Sequence, residues 1–285
     1  MKIVDIHAHF FPDKIQTAIY DWFDNFGWKM YKRYSFEESV KHLKIRGIDK
    51  RVIAVYAHKR GVSAYFNNWL GNISKEYNNI VPFGTVHPED SNIKEISEDI
   101  FNKHKLSGVK IHCHVEKVKP EDERLFPLYE NIIKNDAVLL LHGTLYPSDA
   151  SIRKDFNPAD YSGAKHVYNL LKTYPEMKII VAHLGMGEYD KFAELLDSFD
   201  NLYLDTAAVY CFNDEQKKTY DISPPPTRDF IKKYNKKILF GSDFPFIPND
   251  ISHQINVINN LDISKEEKEN IFYLNAKKIL NLDKV

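Results

Sequence analysis

Five short apolar runs in this chain end in histidine or aspartate. The first closes on Asp5-Ile6-His7-Ala8-His9, the fourth on Lys110-Ile111-His112-Cys113-His114, the fifth on His142, the sixth on His183 and the eighth on Ser242-Asp243. Side chains at i and i+2 of a strand share a face. His7 and His9 therefore point the same way and can chelate one imidazole-friendly divalent ion. A lone histidine behind an apolar run is more often a hydrogen-bonded core residue than a ligand. Five such ends together are different, because buried polar groups cost free energy unless they are paired. Their coincidence predicts a metal site.

Such a site has a definite chemistry. A divalent ion brings the pKa of a bound water toward neutrality. Asp243 can take that water's proton and return it to a leaving group, and His183 can hydrogen-bond or protonate a substrate oxygen as charge develops. The set suits hydrolysis of a small amide, ester or lactone, which ranks first. It also suits non-oxidative decarboxylation of a small unsaturated or aromatic carboxylic acid, which ranks second. A non-catalytic metal or ligand binder ranks third, since a binder should lack His183 or Asp243 and this chain has both.

These residues need elements to position them. Eight near-continuously apolar runs, Lys2–Ile6, Arg51–Tyr56, Ile80–Val86, Gly108–Ile111, Ala137–Leu141, Lys178–Ala182, Asn201–Leu204 and Lys237–Phe240, read as strands buried on both faces. Amphipathic helical stretches lie between them. Ser35 with Glu38 forms a capping box and Gly47 sits at that helix's stop, while Asn92 with Glu95 opens a helix closed by Gly108. Eight alternations predict a (β/α)8 barrel, residues 1–285 as one domain with long βα loops and extra C-terminal helices. In a barrel the C-terminal strand ends share one mouth, where the polar residues fall. Phe10–Tyr34, Gly143–Asp160 and Tyr210–Thr227 are long connections after strands, and long loops are more often functional than idle.

The bulk numbers narrow the partners. A formal net charge of -1 leaves no basic field for nucleic acid or anionic membrane. No apolar run reaches spanning length, and MKIVDIHAHF holds no signal core. The two cysteines, Cys113 and Cys211, build no disulfide framework. A cytoplasmic enzyme with a small-molecule substrate is the expectation, with no nucleic acid and no membrane.

The chain resembles the amidohydrolase superfamily, in the amidohydrolase-related branch that includes aminocarboxymuconate-semialdehyde decarboxylase. DIHAH, GVKIHCHV, LFPLYENIIKNDAVLLLHG, KIIVAHLG, NLYLDTA and GSDFP carry the resemblance across essentially the whole chain. It implies that His7, His9, His142 and Asp243 hold the metal and that His183 lies beside it as an acid–base or polarising group. It implies one divalent ion, zinc first, with manganese, iron or cobalt as alternatives. Homodimers are common in that branch.

The fourth strand leaves two readings. Lys110 is the only candidate for a carbamylated lysine bridging two metals, and His114 matches a histidine of decarboxylase-like members. Lys110 lies four residues before His114, about 13 Å of strand, so both reach one metal only if the strand ends early. A single metal is favoured, with Lys110, His112 and His114 near the metal or the substrate. Asp205 reads as an acceptor that orients an imidazole ligand. Arg60 could fork onto a substrate carboxylate, although we expect it not to point at the metal. His42, His104, His166 and His253 fall on helical stretches and read as surface residues.

Overall fold

A computed structural model describes residues 1–147, 156–220 and 222–282. Parts of the Gly143–Asp160 and Tyr210–Thr227 connections therefore lie outside the described residues. All eight expected strands form: β1 (Val4–Ala8), β2 (Lys50–Ala54), β3 (Ile80–Gly84), β4 (Gly108–His112), β5 (Val138–His142), β6 (Lys178–Val181), β7 (Leu202–Asp205) and β8 (Ile238–Leu239). They make one eight-stranded sheet in the order β1 to β8. β1 pairs parallel with β2, and β3 to β7 pair parallel in succession; Ile6 N–H donates to the Phe240 carbonyl at 2.9 Å, which brings the end of β8 onto β1. This is a (β/α)8 barrel. Among the described residues, no helix is long and apolar enough to cross a membrane.

The chain divides into two compact units, Met1–Ile53 with Asp205–Val285, and Ala54–Leu204. In the first, α1 (Asp13–Phe26) and α2 (Phe36–Ile45) follow β1, and α9 (Asp214–Thr219) through α13 (Asn275–Ile279) flank β8. The Ser35–Glu38 capping box is present on α2, and Gly47 takes φ +80 just beyond that helix. β1 pairs with β2 in the register Val4↔Lys50 and Asp5↔Arg51. Every residue of β1 is buried, as a strand covered on both faces requires.

The second unit holds α3 (Ser63–Glu76) through α8 (Tyr189–Ser198) with β3 to β7. β4 and β5 run in register from Gly108↔Val138 to His112↔His142. Gly108 is required by close approach, since a Cβ there would stand 2.6 Å from the Val138 carbonyl oxygen.

Three expectations need correction. The helix opened at Asn92, α4 (Ile93–Asn102), stops six residues short of Gly108, and Asn92 makes no side-chain cap. Its amide instead donates to Glu95 at 3.3 Å. The fourth strand ends at His112, because Cys113–Glu116 turns into a one-turn helix, α5. His42 and His166 are not surface residues. His42 is half-buried against Asp250 at 3.0 Å, and His166 is buried with Nδ1 2.7 Å from Glu121. In both cases helical position was legible, while the carboxylate that draws the ring inward lies far along the chain.

Candidate metal centre and histidine chain

In the first unit, strand alternation delivers Asp5, His7 and His9 to one face of β1 and the residues following it. Asp243 comes from the turn after β8, with its backbone in the left-handed region at φ 65 and its N–H donating to the His7 carbonyl at 2.8 Å. A non-glycine residue holds such a φ only when its surroundings fix it, and such residues gather at functional sites. His7 Nε2 lies 3.0 Å from His9 Nε2 and 3.5 Å from Asp243 Oδ1, and His9 Nε2 lies 3.1 Å from the same oxygen. Three donor atoms on such a triangle admit a point about 2 Å from each, the bond length that zinc and similar ions take. His7, His9 and Asp243 therefore fit one divalent ion.

The groups behind this triangle set its chemistry. His7 Nδ1 faces Asp205 Oδ2 at 2.8 Å. The carboxylate can only accept, so Nδ1 carries the proton and Nε2 keeps its lone pair for the ion. Gly241 lets this pair close, since a Cβ there would stand 2.9 Å from His7 Cβ and 3.2 Å from Asp205 Cγ. Asp5 lies beneath, fully buried, accepting from Ser242 Oγ at 2.5 Å, Ser242 N at 3.0 Å and His7 N at 3.1 Å. Burial pushes its carboxyl up to about 6 against the lowering effect of those hydrogen bonds. Two buried aromatic rings pack against His9. The His9 ring lies nearly parallel to those of Phe11 and Phe246, and Trp28 Nε1 donates to the Phe246 carbonyl at 3.0 Å.

The second unit gathers a chain of imidazoles. His183 Nε2 lies 3.0 Å from His142 Nδ1, His142 Nε2 lies 3.1 Å from His114 Nδ1, and His114 Nε2 lies 2.7 Å from Ser162 Oγ. The His112 ring stacks on His142 at 4.1 Å between centroids and meets Tyr56 edge-on. His183, like Asp243, has φ 65. Burial, first among its causes, holds His142 well below the ordinary histidine range, and the neighbouring rings and Lys110 add to it. Burial and then His183 bring His114 down to about 3, against a raising contact with the Pro147 carbonyl.

The expected site residues are thus found in two groups, each internally assembled: His7, His9, Asp205 and Asp243, and His112, His114, His142 and His183. Lys110 is fully buried, and Glu116 beside it is buried as well. Because β4 stops at His112, the extended spacing expected between Lys110 and His114 does not exist. Arg60 is exposed in the loop after β2. Sequence reading missed three contributors. Asp5 and Ser242 carried signals, one through alternation and the other through adjacency to Asp243. Ser162, in an irregular segment, carried none.

An amidohydrolase family model matches residues 4–282. No curated protein matches the chain. Among solved structures, an uncharacterized TIM-barrel protein from Bordetella bronchiseptica aligns with TM-score 0.75 at 18% identity, covering 100% of both chains. The 2,6-dihydroxybenzoate decarboxylase from Rhizobium aligns with TM-score 0.68 at 16% identity, covering 99% of each. The 5-carboxyvanillate decarboxylase from Novosphingobium aromaticivorans, complexed with manganese and 4-hydroxy-3-methoxy-5-nitrobenzoic acid, aligns with TM-score 0.68 at 15% identity, covering 98% of this chain and 96% of that one.

Proposed function

The chain belongs to the amidohydrolase family, and from that premise we propose that it is a metal-dependent non-oxidative decarboxylase of a small aromatic or unsaturated carboxylic acid. This reverses the order expected from sequence, where hydrolysis came first. The observation that carries it is the similarity, over nearly the full chain, to two decarboxylases of aromatic acids, together with a triangle of metal-donor atoms.

In this reading His7, His9 and Asp243 hold the ion, and His142 is the further ligand that the family resemblance implies. When bound, the ion supplies Lewis acidity at a substrate oxygen. Asp205 keeps the His7 proton on Nδ1. Phe11 and Phe246 pack against His9 and hold its ring in place. The bond from ring carbon to carboxyl carbon breaks, its electron pair stays on the ring carbon, carbon dioxide leaves, and a proton takes its place. We assign delivery of that proton to Asp243, which takes it from solvent water and returns to carboxylate as it gives it up, and the hydrogen bond to the developing oxygen charge to His183. Manganese stands beside zinc as the ion, since the similar Novosphingobium enzyme holds manganese.

The test is product analysis with zinc- and manganese-loaded enzyme on hydroxybenzoates, unsaturated diacids, lactones, esters and amides. Release of carbon dioxide in step with the decarboxylated product is expected. Hydrolytic turnover without carbon dioxide would restore hydrolysis as the activity.

A further inference from the structure

The Ser162 hydroxyl has one hydrogen and three neighbours. It lies 2.9 Å from the Thr144 carbonyl oxygen, 3.0 Å from the Pro158 carbonyl oxygen and 2.7 Å from His114 Nε2. Carbonyl oxygens only accept. Were the hydroxyl to donate to His114, its own lone pairs would face both carbonyls in a buried site, where Ser162 is 2% exposed. The hydroxyl therefore donates to a carbonyl and accepts from His114 Nε2–H.

That single choice propagates. A neutral imidazole protonated on Nε2 has its lone pair on Nδ1. His114 Nδ1 then accepts from His142 Nε2–H across 3.1 Å, and His142 in turn carries its lone pair on Nδ1. We infer that Ser162, acting through His114, fixes the tautomer of His142 and leaves the Nδ1 lone pair, which faces His183 Nε2 at 3.0 Å, as the one His142 offers to a metal. Ser162 is a positioning residue. It does for His142 what Asp205 does for His7, through one more ring and without a charge. The functional half of this inference rests on the reading of His142 as a metal ligand. The tautomer half stands on the hydrogen-bond geometry alone.

Two measurements separate them. Long-range nitrogen–proton correlation spectra of the full chain, labelled at histidine and freed of metal, report the tautomer of each ring, with His142→Gln assigning the signals. His142 should appear protonated on Nε2 in the native chain, with a mixture of tautomers in Ser162→Ala. A native His142 protonated on Nδ1, or a Ser162→Ala spectrum identical to the native one, would overturn the tautomer assignment. Zinc affinity by chelator competition is the second measurement. Ser162→Ala should bind zinc about tenfold more weakly, at the low end for groups behind a ligand, and Ser162→Thr, which keeps the hydroxyl, should recover most of that loss. Unchanged affinity in Ser162→Ala, while His142→Ala loses zinc, would refute the coupling from Ser162 to the ion. Unchanged affinity in His142→Ala would refute the ligand reading itself and leave the spectra to decide the tautomer.

Discussion

The two units orient histidine by different means. In the first, a buried carboxylate, Asp205, stands directly behind His7 at 2.8 Å. In the second, a serine hydroxyl acts on His142 through an intervening imidazole. A carboxylate fixes a tautomer and also raises the basicity of the ring it faces. A hydroxyl relay fixes the tautomer without adding charge, and burial, the largest cause, holds His142 and His114 below the ordinary histidine range. The first group is thereby suited to holding a cation firmly. The second keeps a set of neutral imidazoles in register.

The comparison breaks most visibly at the ligands. His7→Ala should release metal and cost several kcal/mol of barrier, about a thousandfold in rate. Metal content by elemental analysis and turnover under saturating substrate check it together, and retention of both in His7→Ala would remove the first group from the site. Asp205→Asn is the next step down. It keeps the shape and removes the charge behind His7, and a loss of ten- to a hundredfold in metal affinity is expected. A change within twofold would mean that the carboxylate contributes no more than a hydroxyl, and the contrast between the units would collapse.

Gly241→Ala sharpens the contrast by leaving the charge and changing the distance. The added methyl would press on His7 and Asp205. Overpacking of this kind costs about 1–3 kcal/mol, and thermal unfolding of the metal-free chain should register it. If stability falls while metal affinity holds, contact between His7 and Asp205 tolerates displacement. If both fall, the close approach is part of the site.

The fold was legible because its signals are local. Eight apolar runs of strand length and the i, i+2 spacing of His7 and His9 need no knowledge of distant partners. The grouping of Asp205 with His7 was anticipated only as a type of role, since the two lie 198 residues apart. The early end of β4 was hidden because Cys113–Glu116 continues an alternating pattern that looks extended, yet His112 Nδ1 accepts from the Val115 N–H and starts a helical turn. His166 looked like a surface residue because the helix it sits on was read without Glu121, the half-buried acceptor on an earlier loop. Ser162 has no periodic neighbours to mark it, and only the carbonyls around its hydroxyl give it meaning.

The smallest effect expected is a difference in how the two units respond to acid. Asp5 has its carboxyl raised from 3.8 to about 6 by burial. The folded chain therefore holds that proton more tightly than the unfolded chain, so its contribution to stability is full below 3.8 and is lost as pH rises through 6. His114 is lowered from 6.5 to about 3. Here the folded chain resists the proton that the unfolded chain accepts, so stability present above 6.5 is lost as pH falls toward 3. Between pH 7 and 5 the two contributions oppose each other, each on the order of 1–2 kcal/mol. Denaturant unfolding of the metal-free chain at both pH values can separate them, with metal excluded because its binding is itself pH-dependent. Asp5→Asn should lose more stability on acidification than the native chain, having given up a group that gains from protons. His114→Asn should lose less. Parallel behaviour of all three proteins would show that neither buried group titrates differently on folding, and the electrostatic distinction between the carboxylate-backed and hydroxyl-backed histidines would then have to rest on metal affinity alone.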